Sequence, residues 1–108
     1  PIDESQMNGF IGVSGSGIAY MFQFLHSMAL GGTLTGLTYA ASLELARETM
    51  KAAAAFLEHT KMHPAEALTL VTSPGGTTIA GISALESGGF TSSVMQAVQA
   101  ASEKSQHM

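Results

Sequence analysis

The sequence predicts an all-α fold of about six helices, and three observations carry that reading. No segment alternates apolar and polar residues long enough to make a strand. Apolar residues instead recur at helical spacing through most of the chain. Proline and glycine corners then cut it into helix-length pieces.

Composition says what surrounds those helices. The chain has 108 residues, enough for one domain with a modest core, and is 45 % hydrophobic but only 11 % charged. A soluble domain usually carries roughly 25 % charged residues, so much of this surface is expected to lie against another chain. Eight acids stand against four bases, Arg47, Lys51, Lys61 and Lys104, for a net charge of -4. With no basic patch and few aromatics, no nucleic-acid partner is expected. There is no cysteine, which excludes disulfides and thiolate metal sites and fits a reducing compartment; the chain is expected to be cytoplasmic. The longest apolar run, Gly17 to Gly32, is interrupted by Gln23, His26 and Ser27 and lacks basic flanks, so no membrane span is expected. The sequence opens on Pro1 rather than methionine and is expected to be a piece of a longer chain.

Asp3-Glu4-Ser5 reads as the first turn of a short helix carrying Met7, Phe10 and Ile11. Gly9 to Gly17 follows. It imitates a strand entering a dinucleotide phosphate loop, but the third glycine position is Tyr20, no acid lies near 20 residues on, and no second strand follows. Ser14-Gly15-Ser16-Gly17 is therefore expected to be a hinge that caps the next helix.

That helix is predicted over Ile18 to Leu30 and is apolar nearly all round, so it is expected to be covered by a partner subunit, with His26 a hydrogen-bonded interface histidine. Gly31-Gly32 is expected to end it, and Gly36 marks the next break. Thr38 to His59 is the longest predicted helix, with Glu44, Arg47, Glu48, Lys51 and Glu58 as one wet stripe and Glu44–Arg47 and Glu48–Lys51 as i,i+3 pairs. His59 and His63 share metal spacing, but Pro64 breaks it and no further ligand joins them, so no metal is expected. Pro64 starts a short helix to about Val71. Another helix runs from about Thr77 to Glu86, and the last from Phe90 to about Ser105, with Val94, Met95, Val98 and Ala101 inward.

The chemistry centres on Val71-Thr72-Ser73-Pro74-Gly75-Gly76-Thr77-Thr78-Ile79-Ala80. Pro74 stops the preceding helix at Ser73. Gly75 and Gly76 let the backbone turn sharply and let a ligand approach. Thr77 or Thr78 is a candidate N-cap for the next helix. A helix start presents unpaired N–H groups and a positive dipole end, which suit a small carboxylate or phosphate. The alternative is a helix–turn–helix corner with a capping threonine and no ligand.

This corner, with Ala84-Leu85-Glu86-Ser87-Gly88-Gly89-Phe90 and Ser14-Gly15-Ser16-Gly17-Ile18-Ala19-Tyr20, resembles pyrroline-5-carboxylate reductase in order and spacing, over nearly the whole chain. Residues 1–108 resemble the C-terminal dimerisation and substrate-binding domain of that family, without its N-terminal dinucleotide-binding domain. The resemblance implies an interlocked homodimeric bundle, and in several members a ring of dimers. It implies reduction of the C=N bond of 1-pyrroline-5-carboxylate to L-proline, the last step of proline synthesis. NADPH or NADH would be held mainly by the absent domain. It places the substrate carboxylate on backbone N–H groups at Gly76 and Thr77, and the ring nitrogen on the Thr78 hydroxyl. Ser73 and Gly75 complete the substrate pocket, and Ser14, Gly15, Ser16 and Gly17 lie where cofactor and substrate meet. Ile18 stands where proline is usual, His26, Leu30 and Thr69 stand where acids are common, and Lys61-Met62 fill a loop where an acid is frequent. The chain alone is expected not to turn over. The competing reading is a purely structural dimerisation module.

Overall fold

The computed structural model describes residues 3–107, and every regular element among them is helical. In order they are α1 (Glu4–Phe10), a π-helical turn (Ile11–Gly15), α2 (Gly17–Leu34), α3 (Tyr39–Thr60), α4 (Pro64–Leu70), α5 (Thr77–Ser87) and α6 (Phe90–Gln106). They divide into two units. One joins the described residues up to 23 with those from 85 onward, and the other holds residues 24–84.

In the first unit, α1 starts from a capping box. The Asp3 carboxylate accepts from the Gln6 amide at 2.9 Å, and the Gln6 side chain accepts from the Asp3 amide at 3.2 Å. The hinge that the sequence predicts at Ser14 to Gly17 does not form. The chain stays wound: Ile11–Gly15 is a π turn, closed by the Ser16 amide donating to the Ile11 carbonyl at 2.8 Å. Small residues allow that wider wrap, and α6 fixes it from outside. A Cβ on Gly12 would stand 2.6 Å from the Val98 carbonyl oxygen, so the turn lies almost backbone to backbone with α6. Tyr20 donates to the Ala97 carbonyl at 3.1 Å, and Ser105 donates to the buried Asn8 side chain at 2.9 Å. The inward face predicted for α6 holds only in part. Val98 packs against Gly12, whereas Val94 and Met95 are 44 % and 66 % exposed and line an open apolar groove with Gly9, Val98, Gln99 and Ser102.

In the second unit the helix predicted to stop at Leu30 runs through Gly31 and Gly32 to Leu34. Gly32 is a contact rather than a terminator, because a Cβ there would stand 2.6 Å from the Ser42 Cβ on α3. The true stop is Gly36. At φ +111° it lets the Gly36 amide reach the Thr33 carbonyl and the Leu37 amide reach the Gly32 carbonyl, which together form a Schellman closure. Thr38 caps α3 through its hydroxyl, accepting from the Ala41 amide at 3.1 Å. His26 Nδ1 lies 2.7 Å from the Tyr39 hydroxyl. Glu48–Lys51 pairs at 3.5 Å and Glu58–Lys61 at 3.4 Å, while the predicted Glu44–Arg47 pair does not form among the described residues. His63 caps α4, its Nδ1 accepting from the Ala65 amide at 3.0 Å, with Pro64 at the first helical position.

Very little apolar surface is hidden. Ala29 and Ala46 are the buried apolar residues among those described, and no large side chain is fully buried. Along α2, Ile18, Met21, Phe22 and Leu30 are each more than half exposed. No helix among the described residues is long and apolar enough to cross a membrane.

Candidate functional site

The corner between α4 and α5 is built by a Pro-Gly turn. The Gly76 amide donates to the Ser73 carbonyl at 3.0 Å, and Gly75 between them has φ +67°. Proline in the second place and glycine with positive φ in the third make a type II turn. Gly76 has its own reason to lack a side chain: a Cβ there would meet the Ser73 hydroxyl oxygen at 2.5 Å and the Ser73 carbonyl oxygen at 3.3 Å. The first glycine is needed for its backbone angle and the second for close packing.

This geometry corrects two expectations. Neither threonine is the N-cap: α5 begins at Thr77, and the Gly76 carbonyl accepts its first helical bond, from the Ala80 amide at 3.3 Å. The Gly76 amide, predicted as a donor to a ligand, closes the turn instead. The amides of Thr77, Thr78 and Ile79 form no hydrogen bond within the protein among the described residues, because a helix start has no preceding carbonyls to serve them. The hydroxyls of Thr77 and Thr78 belong to exposed residues. The place thus offers consecutive bare N–H donors and two hydroxyls at the positive end of an eleven-residue helix. No charged side chain of the protein stands within the corner, from Val71 to Ala80.

The structure brings Ser73, Gly75, Gly76, Thr77 and Thr78 together in one continuous turn and helix start. Ser14, Gly15, Ser16 and Gly17 belong to the other unit, at the end of the π turn and the start of α2. The Ser16 amide is engaged with Ile11, so this stretch is no open phosphate cradle of the dinucleotide type. Ser14 is exposed and Ser16 half-buried. The hold of Ser73 on Gly76 and the shift of the free amides one residue onward are not evident from composition and spacing. The Ser-Pro-Gly-Gly string carries the signal for both, once it is read as a type II turn.

Comparison with known proteins gives one answer. The family described as pyrroline-5-carboxylate reductase dimerisation matches residues 4–108. A pyrroline-5-carboxylate reductase of Synechocystis is 44 % identical over 107 residues, 99 % of this chain and 40 % of that protein. One from Glycine max is 42 % identical over 106 residues, 98 % of this chain and 39 % of that protein. Among solved structures, the Plasmodium falciparum pyrroline carboxylate reductase with NADP bound superposes with a TM-score of 0.93 at 33 % identity, over 98 % of this chain and 40 % of that one. The 1-pyrroline-5-carboxylate reductase of Streptococcus pyogenes gives 0.95 at 32 % identity, over 100 % of this chain and 42 % of that one. The chain thus spans about two fifths of the length of these relatives. It belongs to the pyrroline-5-carboxylate reductase family, as its dimerisation domain.

Proposed function

We propose that this chain supplies the substrate-carboxylate site and the self-association surface of a reductase that converts 1-pyrroline-5-carboxylate to L-proline. The observation that carries the reading is the start of α5, where the amides of Thr77 and Thr78 stand bare behind a Pro-Gly turn. Two N–H groups converging on a carboxylate make charge-assisted hydrogen bonds, stronger than neutral ones, and the helix dipole adds to them.

With the carboxylate held there, the ring nitrogen falls to the Thr78 hydroxyl. Threonine is too weak an acid to protonate an imine. The imine therefore binds already protonated, and the Thr78 oxygen accepts from its N–H, which fixes the plane of the C=N bond. When bound, mainly outside this chain, NADPH or NADH would supply the hydride for the carbon of that bond, and the nitrogen would become the secondary amine of proline. Placement of the substrate by the corner is this chain's share of the catalysis.

The test uses the whole reductase that carries this segment. Thr77→Pro removes one bare amide at a first helical position that tolerates proline. It is expected to raise KM for the imine about tenfold or more, one charge-assisted hydrogen bond contributing roughly 1.5–3 kcal/mol, while circular dichroism stays unchanged. Thr78→Val keeps the shape and should lower kcat. If both variants keep wild-type kinetics, the corner is only a turn. The purely structural reading, favoured by the apolar exposure of α2, would then stand alone.

A further inference from the structure

Asn8 is followed by Gly9, and the pair sits inside α1. Asn-Gly is the dipeptide in which the backbone nitrogen of the second residue most easily attacks the side-chain amide of the first, since glycine has no Cβ to block the approach. Here the attack is restrained twice. The helical backbone holds ψ of Asn8 in the α well, whereas attack requires ψ to open out of it. The side chain is also pinned: Asn8 is buried, and its oxygen accepts from the Ser105 hydroxyl of α6 at 2.9 Å.

We propose that Asn8–Gly9 is a masked self-modification site, kept inert by α1 and the Asn8–Ser105 bond and unmasked whenever α1 lifts from α6. The step needs only water. The Gly9 nitrogen loses its proton and bonds to Asn8 Cγ; Nδ2 leaves as ammonia; and the resulting succinimide is opened by water at either carbonyl, giving aspartate or isoaspartate. Aspartate keeps the helix and can still accept from Ser105. Isoaspartate inserts a methylene into the backbone and cannot be wound into α1, so the second outcome makes opening permanent. The site marks chains that have spent time with this end of the fold undone.

The test incubates the assembled wild-type protein, Ser105→Ala and Gly9→Ala at mildly alkaline pH, with a free peptide of residues 5–12 as the unmasked reference. Peptide mapping by mass spectrometry follows acid and isoaspartate formation at position 8, and hydrogen exchange follows α1 in the same samples. A Cβ on Gly9 meets nothing within 4 Å, so Gly9→Ala should fold and stay unmodified. Wild type should convert at least about tenfold more slowly than the peptide, a factor that corresponds to about 1.4 kcal/mol of local opening free energy. Ser105→Ala should convert several-fold faster than wild type, in step with faster exchange in α1. Should that variant not fold, wild type in urea below its unfolding midpoint takes its place, with the same expectation. Folded wild type converting as fast as the peptide would overturn the proposal. So would a Ser105→Ala protein, or its urea substitute, whose conversion stays at the wild-type rate.

Discussion

Gly32 on α2 and Ser42 on α3 touch so closely that a Cβ on the glycine would stand 2.6 Å from the serine Cβ. Ser42 is buried and its hydroxyl donates to the Thr38 carbonyl at 2.8 Å, so it cannot swing aside without losing that bond. Gly32→Ala should therefore destabilise by about 1–3 kcal/mol, the usual cost of overfilling a packed contact. Its neighbour behaves oppositely: Gly31 has nothing within 4 Å of its Cβ position. Gly31→Ala should be neutral or stabilising by about 0.5–1 kcal/mol, as for any helix-interior glycine. Denaturant melts of the two variants at matched concentration decide this.

The corner yields a double-mutant test. Gly76→Ala collides with the Ser73 hydroxyl, and Ser73→Ala removes that oxygen. The pair should be less damaged than the sum of the single changes by about 0.5–3 kcal/mol, the range for residues in contact. Gly75→Ala has no such rescue, because its φ of +67° costs an L-residue about 1–2 kcal/mol whatever stands beside it.

Acid should loosen α1 first. The Gln6 amide, and after it the Ser5 hydroxyl, hold the Asp3 carboxyl below the usual aspartate range. A carboxylate with a depressed folded-state value contributes stability that is present above the unfolded value and lost as pH falls through the folded one. Amide exchange in the first turn of α1 should accordingly quicken below the normal aspartate range. Asp3→Asn, which keeps a capping oxygen, should flatten that dependence.

Self-association should be obligatory. A helix that exposes Ile18, Met21, Phe22 and Leu30 is expected to be covered by a second copy. The melting temperature should then rise with protein concentration, and Phe22→Glu should shift the sedimenting species towards the monomer. An unchanged wild-type monomer across the range would defeat this expectation.

Much of this fold can be read without coordinates, and the exceptions have definite causes. Thr38, Pro64 and Gly36 are visible because caps and stops act through the residue itself. Gly31-Gly32 misleads, because nothing local distinguishes a glycine that ends a helix from one that admits Ser42. The π turn at Ile11–Gly15 is hidden for a similar reason: it depends on Val98, more than eighty positions away. At the corner, the string from Ser73 to Thr78 names the right place. Which amides stay bare follows from the Ser73–Gly76 bond, a detail of turn type that the glycine pair leaves open.

The Asn8–Ser105 bond spans 97 positions, and the unit that contains it is assembled from the first and last stretches of this sequence. During synthesis its early half must wait on the ribosome, with α1 and the π turn unaccompanied, until α6 has emerged. Residues 24–84 face no such delay. A chain cut short before Phe90 would thus leave α1 without its α6 contacts, a natural target for chaperones and proteases.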